Sequence, residues 1–207
     1  PATVLACDLL GVKSGHRVLD AFAAPGGKTA YLTQLMGNEG TLIATDSLDK
    51  RLDRLRENLQ RLGVRRPMVR KAEWTEPQPD LALFDRILLD VPCSNTGVLR
   101  RRVDLRWRLE PKVFAEMADL QFKLATNVLK QLRPGGRAVY STCSIEPEEN
   151  EHLIDCLLEK DPTLERRGAI PSRGCDVVAA GRRRRVCGDR WAWPAEQAAP
   201  PSRRAGI

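Results

Sequence analysis

Histidines, paired cysteines and long apolar runs are all scarce in this chain of 207 residues. Only His16 and His152 are present, and the six cysteines, at 7, 93, 143, 156, 175 and 187, include no Cys-x-x-Cys pair. Zinc-ligand spacing is therefore missing, and a metal is not expected. No apolar run approaches the roughly 18 to 20 residues that cross a bilayer. The opening PATVLACDLL carries Asp8 and no basic leader. These absences lead to the expectation of a soluble, cytoplasmic protein with no membrane partner, whose thiols stay reduced.

What is present supports one core. With 42% hydrophobic residues, the chain is long enough for a single buried interior and short for two, so one monomeric domain is expected. The net charge of +7 invites a nucleic-acid reading. However, residues 181–207 hold seven Arg against Asp189 and Glu196, so +5 comes from that tail and +2 from residues 1–180. Overall charge thus says little about the body of the protein.

Periodicity gives an alternation of strands and helices. After a short N-terminal helix, a strand is expected at 17–20, a Gly/Pro loop, and a helix from Gly27 to Met36 stopped by Gly37. A strand at 41–46 precedes a helix over 47–62, whose Leu48, Leu52, Leu55, Leu59 and Leu62 share one face and which Gly63 caps. A weaker strand falls at 67–71. The continuous Ile87, Leu88 and Leu89 suit a strand at 84–90 buried on both faces. Pro111 opens a helix lined by Val113, Phe114, Met117, Leu120, Leu124, Val128 and Leu132, with Pro134-Gly135-Gly136 as its stop. A fifth strand follows at 137–143, then a helix from Pro147 to Lys160. The pattern predicts an α/β fold, a doubly wound, mostly parallel sheet with helices on both faces. After about residue 168 it stops: Arg-rich and Pro/Ala-rich stretches replace any period, so residues 169–207 read as an irregular basic tail, disordered or translated out of frame.

In a parallel sheet, ligands sit at the carboxyl ends of strands, and the residues there are polar and reactive: Asp20 with its glycine loop, Asp46, Asp90 to Ser94, and Cys143. AAPGGKT (23–29) ends like a phosphate-binding loop, but position 22 is Phe instead of the required glycine. A loop that points backbone N–H groups from a helix start can equally hold a carboxylate. Gly26 and Gly27 also fit a plain strand-to-helix turn. Asp46 fits either a ribose-binding acid or a helix N-cap. In DVPCSNTGVLRRRVDLRW (90–107), Arg100, Arg101, Arg102 and Trp107 offer phosphate contacts and a stacking surface, or simply a solvated face. Cys143 in YSTCSIEPEENE is either a small core residue at a strand end or a nucleophile.

Together DAFAAPGGKT, FDRILLDVPCSNTGVLRR and YSTCSIEPEENE resemble the motif set of RNA 5-methylcytosine methyltransferases of the NOL1/NOP2/Sun family, and within it the bacterial 16S rRNA branch known as RsmB or Sun. The resemblance covers roughly residues 1–160. It implies a Rossmann-like class I S-adenosylmethionine-dependent methyltransferase fold over 1–168, with RNA, and 16S rRNA in particular, as partner. It also implies a role for both thiols. Carbon 5 of cytosine is a poor nucleophile until a thiolate adds at carbon 6 and turns the ring into an enamine. By resemblance Cys143 is that thiolate, Asp90 holds cytosine N3 and the exocyclic amine, and Cys93 assists release. Cofactor contacts carry over to Phe22, Ala23, Ala24, Pro25, Gly26, Gly27, Lys28, Asp46, Glu73 and Asp90.

The chain departs from the family at Phe22, Val91 and Asn95, where Cys, Ala and Gly are frequent, and at Glu73 in place of an Asp. Relatives in this branch begin with a helical RNA-binding domain and end with a β-hairpin that completes the sheet. Neither is recognisable here, so the expectation is a catalytic-domain fragment whose hairpin is missing or degraded. An impaired RNA-binding remnant is the second reading, and a nucleotide hydrolase the third.

Overall fold

The computed structural model describes residues 2–37, 39–107, 109–170 and 175–180. Its layering follows from the run Ile87-Leu88-Leu89 in the central strand β4 (Phe84–Asp90), because successive strand side chains point to opposite faces. Leu88 packs with Val18 and Leu42 against helices α1 (Ala2–Leu10) and α2 (Gly27–Met36). Ile87 and Leu89 enter the other core, where Leu124, Ala125 and Val128 of α4 (Pro111–Leu129) meet Leu153, Ile154 and Leu157 of α5 (Glu151–Lys160). A third cluster seats Leu52, Leu55 and Leu59 of α3 (Asp49–Arg61) on Ala44, on the same face as Leu42. Truncating a fully buried leucine such as Leu88 costs about 2–5 kcal/mol.

The remaining strands are β1 (Arg17–Asp20), β2 (Thr41–Asp46), β3 (Met68–Lys71), β5 (Leu132–Ser141), β6 (Leu164–Ile170) and β7 (Cys175–Ala180), in the order β3-β2-β1-β4-β5-β7-β6. The first five are parallel, and β7 is antiparallel to both β5 and β6. This is the expected doubly wound, Rossmann-like sheet. Chain order reverses between β1 and β4, which places the ligand crevice beyond their carboxyl ends.

The structure corrects four expectations. The hairpin taken to be missing or degraded is present as β6 and β7, so β5 is not an edge, and the boundary at 168 falls inside β6. Its signal is weak because LERRGAI carries three charges and CDVVAA lies next to the Arg-rich tail, so neither shows a clean alternation. Residues 181–207 lie outside the described residues. Leu48 and Leu62 are 59% and 49% exposed and flank α3 without joining its face. Pro134-Gly135-Gly136 does not stop α4: Phe84 N–H captures Gln131 O at 2.8 Å, and the Pro-Gly-Gly segment becomes a bulge within β5. Pro147–Glu149 is a separate turn of 3₁₀ helix, and α5 starts only at Glu151.

Candidate active site

Four strand ends build one cleft of about 500 Å³. β1 leads into Phe22 and Ala24, β2 ends in Asp46, β4 ends in Asp90 and continues to Cys93, and β5 delivers Cys143 two residues past its end. Glu73, just past β3, lines the same cleft. Of the residues expected from the sequence, the cleft therefore gathers Phe22, Ala24, Asp46, Glu73, Asp90, Cys93 and Cys143. Ala23, Pro25, Gly26, Gly27 and Lys28 lie behind or beside it. Ala23 is buried against α2 and α3, and Pro25 O accepts from Asn58 Nδ2 at 2.8 Å. Gly26 has φ of +104°, and a Cβ there would meet Leu55 Cδ1 at 2.7 Å, so glycine is needed both for the turn and for the approach of α3.

The two thiols meet. Cys93 Sγ and Cys143 Sγ are 2.8 Å apart, and Cys143 N–H also donates to Cys93 Sγ at 3.3 Å. Asn95 Oδ1 lies 2.9 Å from Cys143 Sγ and accepts its proton whenever Cys93 does not. Asn95 sits at φ of +64°, a left-handed conformation that Asn tolerates, and its Nδ2 donates to Cys93 O at 2.7 Å. Gly97 N–H donates to Cys143 O at 2.9 Å, and a Cβ at 97 would fall 2.7 Å from that oxygen. Only glycine lets the two loops close to this distance. The shared hydrogen bond lowers the Cys93 pKa, and the same bond, followed by burial, raises that of Cys143. The pair thus gives up its first proton readily and its second with difficulty, because the remaining S–H stabilises one thiolate and a second negative charge is opposed.

At the mouth, Asp90 Oδ2 pairs with Lys28 Nζ at 2.5 Å, while Oδ1 accepts from Ser141 Oγ at 2.8 Å. Burial alone would lower the Lys28 pKa, but the Asp90 charge outweighs it and raises the pKa. The far end has a different character. Asp46, 4% exposed, accepts from Arg51 Nε at 3.0 Å, and Arg51 also reaches Ala24 O at 3.2 Å. Apolar wall is supplied by Phe22, Leu48 and Trp74, and Trp74 is fixed by a bond from its Nε1 to Thr45 Oγ1 at 2.9 Å. Glu73 Oε1 accepts from Thr75 N–H and Oγ at 3.3 and 3.1 Å. Acids beside an apolar wall fit a nucleoside-bearing ligand, whose hydroxyls bond to carboxylates and whose base packs on apolar side chains.

Sequence reasoning missed Arg51, Trp74, Ser141 and the contact role of Asn95. Ser141 carried a usable signal, a hydroxyl at the end of a buried strand. Arg51 lies only five residues after Asp46, but its orientation depends on where α3 begins. Among the described residues no cluster of three or more His, Cys, Asp or Glu is placed to hold a metal ion.

The chain is similar to known proteins in sequence and in fold. A family model described as 16S rRNA methyltransferase RsmB/F matches residues 7–196. Ribosomal RNA small subunit methyltransferase B of Salmonella arizonae is 40% identical over 158 residues, 74% of this chain and 36% of that protein. The Vibrio cholerae protein of the same name is 40% identical over 173 residues, 83% of this chain and 40% of that one. NSun6 from Pyrococcus horikoshii, solved with SFG, an S-adenosylmethionine analogue, superposes with a TM-score of 0.78 at 28% identity, over 88% of this chain and 52% of that structure. The chain thus spans about two fifths of the curated relatives it matches. With matched residues running from α1 through the hairpin and the paired cysteine loops inside them, the chain belongs to the RsmB/F family of 16S rRNA methyltransferases.

Proposed function

We propose that this chain transfers a methyl group from S-adenosylmethionine to carbon 5 of a cytosine in RNA, with 16S rRNA as substrate, through a covalent bond between Cys143 Sγ and cytosine C6. The observation that carries the reading is the meeting of two thiols from separate loops, 2.8 Å apart, in one cleft with Asp90. A structural thiol needs no such partner, and a scaffold has no reason to bring a second cysteine loop within reach of the first.

The cofactor suits the far end of the cleft: Asp46 for ribose hydroxyls, Phe22, Leu48 and Trp74 for the adenine, and Glu73 at the rim. When bound, it supplies an electrophilic methyl group. This chain's residues do the rest. Cys143 passes its proton to Cys93 and attacks C6, and the C5–C6 π electrons shift to make C5 nucleophilic. Asp90, held by Lys28 and Ser141, is positioned to hydrogen-bond the cytosine N3 and exocyclic amine and to stabilise the adduct. Once C5 is methylated, its proton passes to solvent water, the C–H electrons re-form the C5=C6 bond, the C6–S bond breaks with its electron pair on Cys143, and Cys93 returns its proton to that departing sulfur. The base must stand outside its stack to reach the cleft.

Incubation with labelled S-adenosylmethionine and small-subunit rRNA tests the reading. Label should appear as 5-methylcytosine with the wild-type chain and drop at least about a thousandfold with Cys143→Ala. Label on another base or atom, or undiminished transfer by Cys143→Ala, would refute it.

A further inference from the structure

Behind the thiols lies a carboxylate that the reaction above does not use. Glu149 is fully buried. Its Oε2 accepts from Ser94 N–H at 2.9 Å and Gln121 Nε2 at 2.7 Å, and its Oε1 accepts from Ser144 Oγ at 2.7 Å and from Ser94 Oγ. Ser94 follows Cys93 and Ser144 follows Cys143, so one carboxylate grips the residue next to each thiol. Around it Ser94 Oγ and Ser144 Oγ stand 3.2 Å apart, and Thr96 Oγ1 donates to Ser144 Oγ at 3.1 Å. Gln121 from α4 also donates to Pro92 O at 2.8 Å, one residue before Cys93.

Burying a carboxylate is expensive unless its lone pairs are filled, and here every neighbour donates. A glutamine would present an amide N–H₂ to donors and break the pattern without changing volume. Packing alone would be served as well by an apolar side chain of similar size. We infer that Glu149 is a positioning residue, a buried acidic clamp that holds the two cysteine loops at working separation and turns its negative charge toward Cys93. The inference rests on the two-thiol reading for its purpose, although not for its geometry. Among the described residues, the titratable groups that act on the thiols are Cys143 and Glu149 on Cys93, and Cys93 and Asp90, the latter paired with Lys28, on Cys143. The Glu149 charge opposes ionisation of Cys93 but is outweighed by the Cys143 hydrogen bond, which lowers the Cys93 pKa, so removing the charge should lower it further.

Alkylation by iodoacetamide, mapped residue by residue by mass spectrometry across pH, tests the clamp on the folded chain. Buried Cys7 and Cys156 serve as internal reporters of the fold. In Glu149→Gln, Cys93 should alkylate at least fivefold faster at neutral pH, with its profile moved to lower pH, while Cys7 and Cys156 stay protected. Glu149→Asp, which keeps the charge on a shorter arm, should keep the wild-type profile. In methyl transfer, Glu149→Gln should lower kcat at least tenfold with the KM for S-adenosylmethionine unchanged, and Glu149→Asp should recover part of it. Wild-type alkylation of Cys93 in Glu149→Gln would overturn the inference. So would loss of protection at Cys7 and Cys156, which would make Glu149 a support of the whole fold. An expected shift at Cys93, in a chain whose wild type transfers no methyl group to RNA, would leave the clamp standing and remove the two-thiol reaction.

Discussion

A single buried acid makes the stability of the fold respond to pH. Asp20 ends β1 beneath the glycine loop, 1% exposed, with Thr29 Oγ1 donating to its Oδ2 at 2.7 Å and no hydrogen-bond partner on Oδ1 among the described residues. Burial pushes its pKa up to about 7. A carboxyl raised in the folded state favours folding when protonated, so its contribution is fully present below the unfolded value near 4 and is lost as pH rises through about 7. The upper limit of that loss is roughly 4 kcal/mol. Urea unfolding at a series of pH values should show the wild type losing stability between about pH 4 and 7. Asp20→Asn should remove most of that slope, and an unchanged slope would mean that Asp20 ionises as freely folded as unfolded. The acid at this strand end was legible in the sequence. Its burial was not, because burial depends on how closely α2 and the neighbouring acids pack over it.

At the scale of elements, the site depends on loops that touch. Gly97 lets its own loop approach Cys143 O, and a methyl group there has nowhere to go except into that carbonyl or Ile145. Gly97→Ala should therefore separate the two cysteine loops and lower methyl transfer at least about tenfold, while far-ultraviolet circular dichroism stays unchanged. Retention of full activity would show that the loop spacing is not critical. These contacts explain what the sequence revealed and concealed. Asp90, Cys93 and Cys143 were legible because strand ends in a parallel sheet converge and because two cysteine loops recur in the family motifs. Asn95 was noted only as a departure from glycine, and its bond to the Cys143 thiol depends on a left-handed backbone that no periodicity encodes. Glu149 is one of four glutamates in EPEENE, and nothing in that stretch says which one turns inward. The 3₁₀ turn at Pro147–Glu149 decides it by rotating Glu149 under the loops before α5 begins.

Across the whole molecule, the hairpin supports the strand that carries the nucleophile. β7 pairs with β5 from Arg137 to Ser141, and β4 pairs with the same residues from the other side. Cys143 therefore leaves a strand braced on both edges. Val178, 2% exposed, ties this hairpin to the main core. Val178→Asp should lower the free energy of unfolding by at least about 3 kcal/mol, because it buries an unpaired charge. A change within about 0.5 kcal/mol would show that the hairpin contributes little to the fold. The five-stranded parallel body was legible from alternating periods, whereas the hairpin was not, because its strands show no clean alternation and β7 is ordered by pairing with β5.

The central claim is that Cys143 and Cys93 divide one reaction between them, and trapping tests it most directly. Cys93→Ala removes the group that returns the proton to the departing sulfur, so the bond from Cys143 to cytosine should outlive denaturation. Incubated with S-adenosylmethionine and small-subunit rRNA, this variant should run on a denaturing gel as a protein–RNA adduct, with the cross-linked nucleotide mapped to the peptide that contains Cys143. Absence of any adduct, or an adduct that persists when Cys143 is also changed to Ala, would contradict the account.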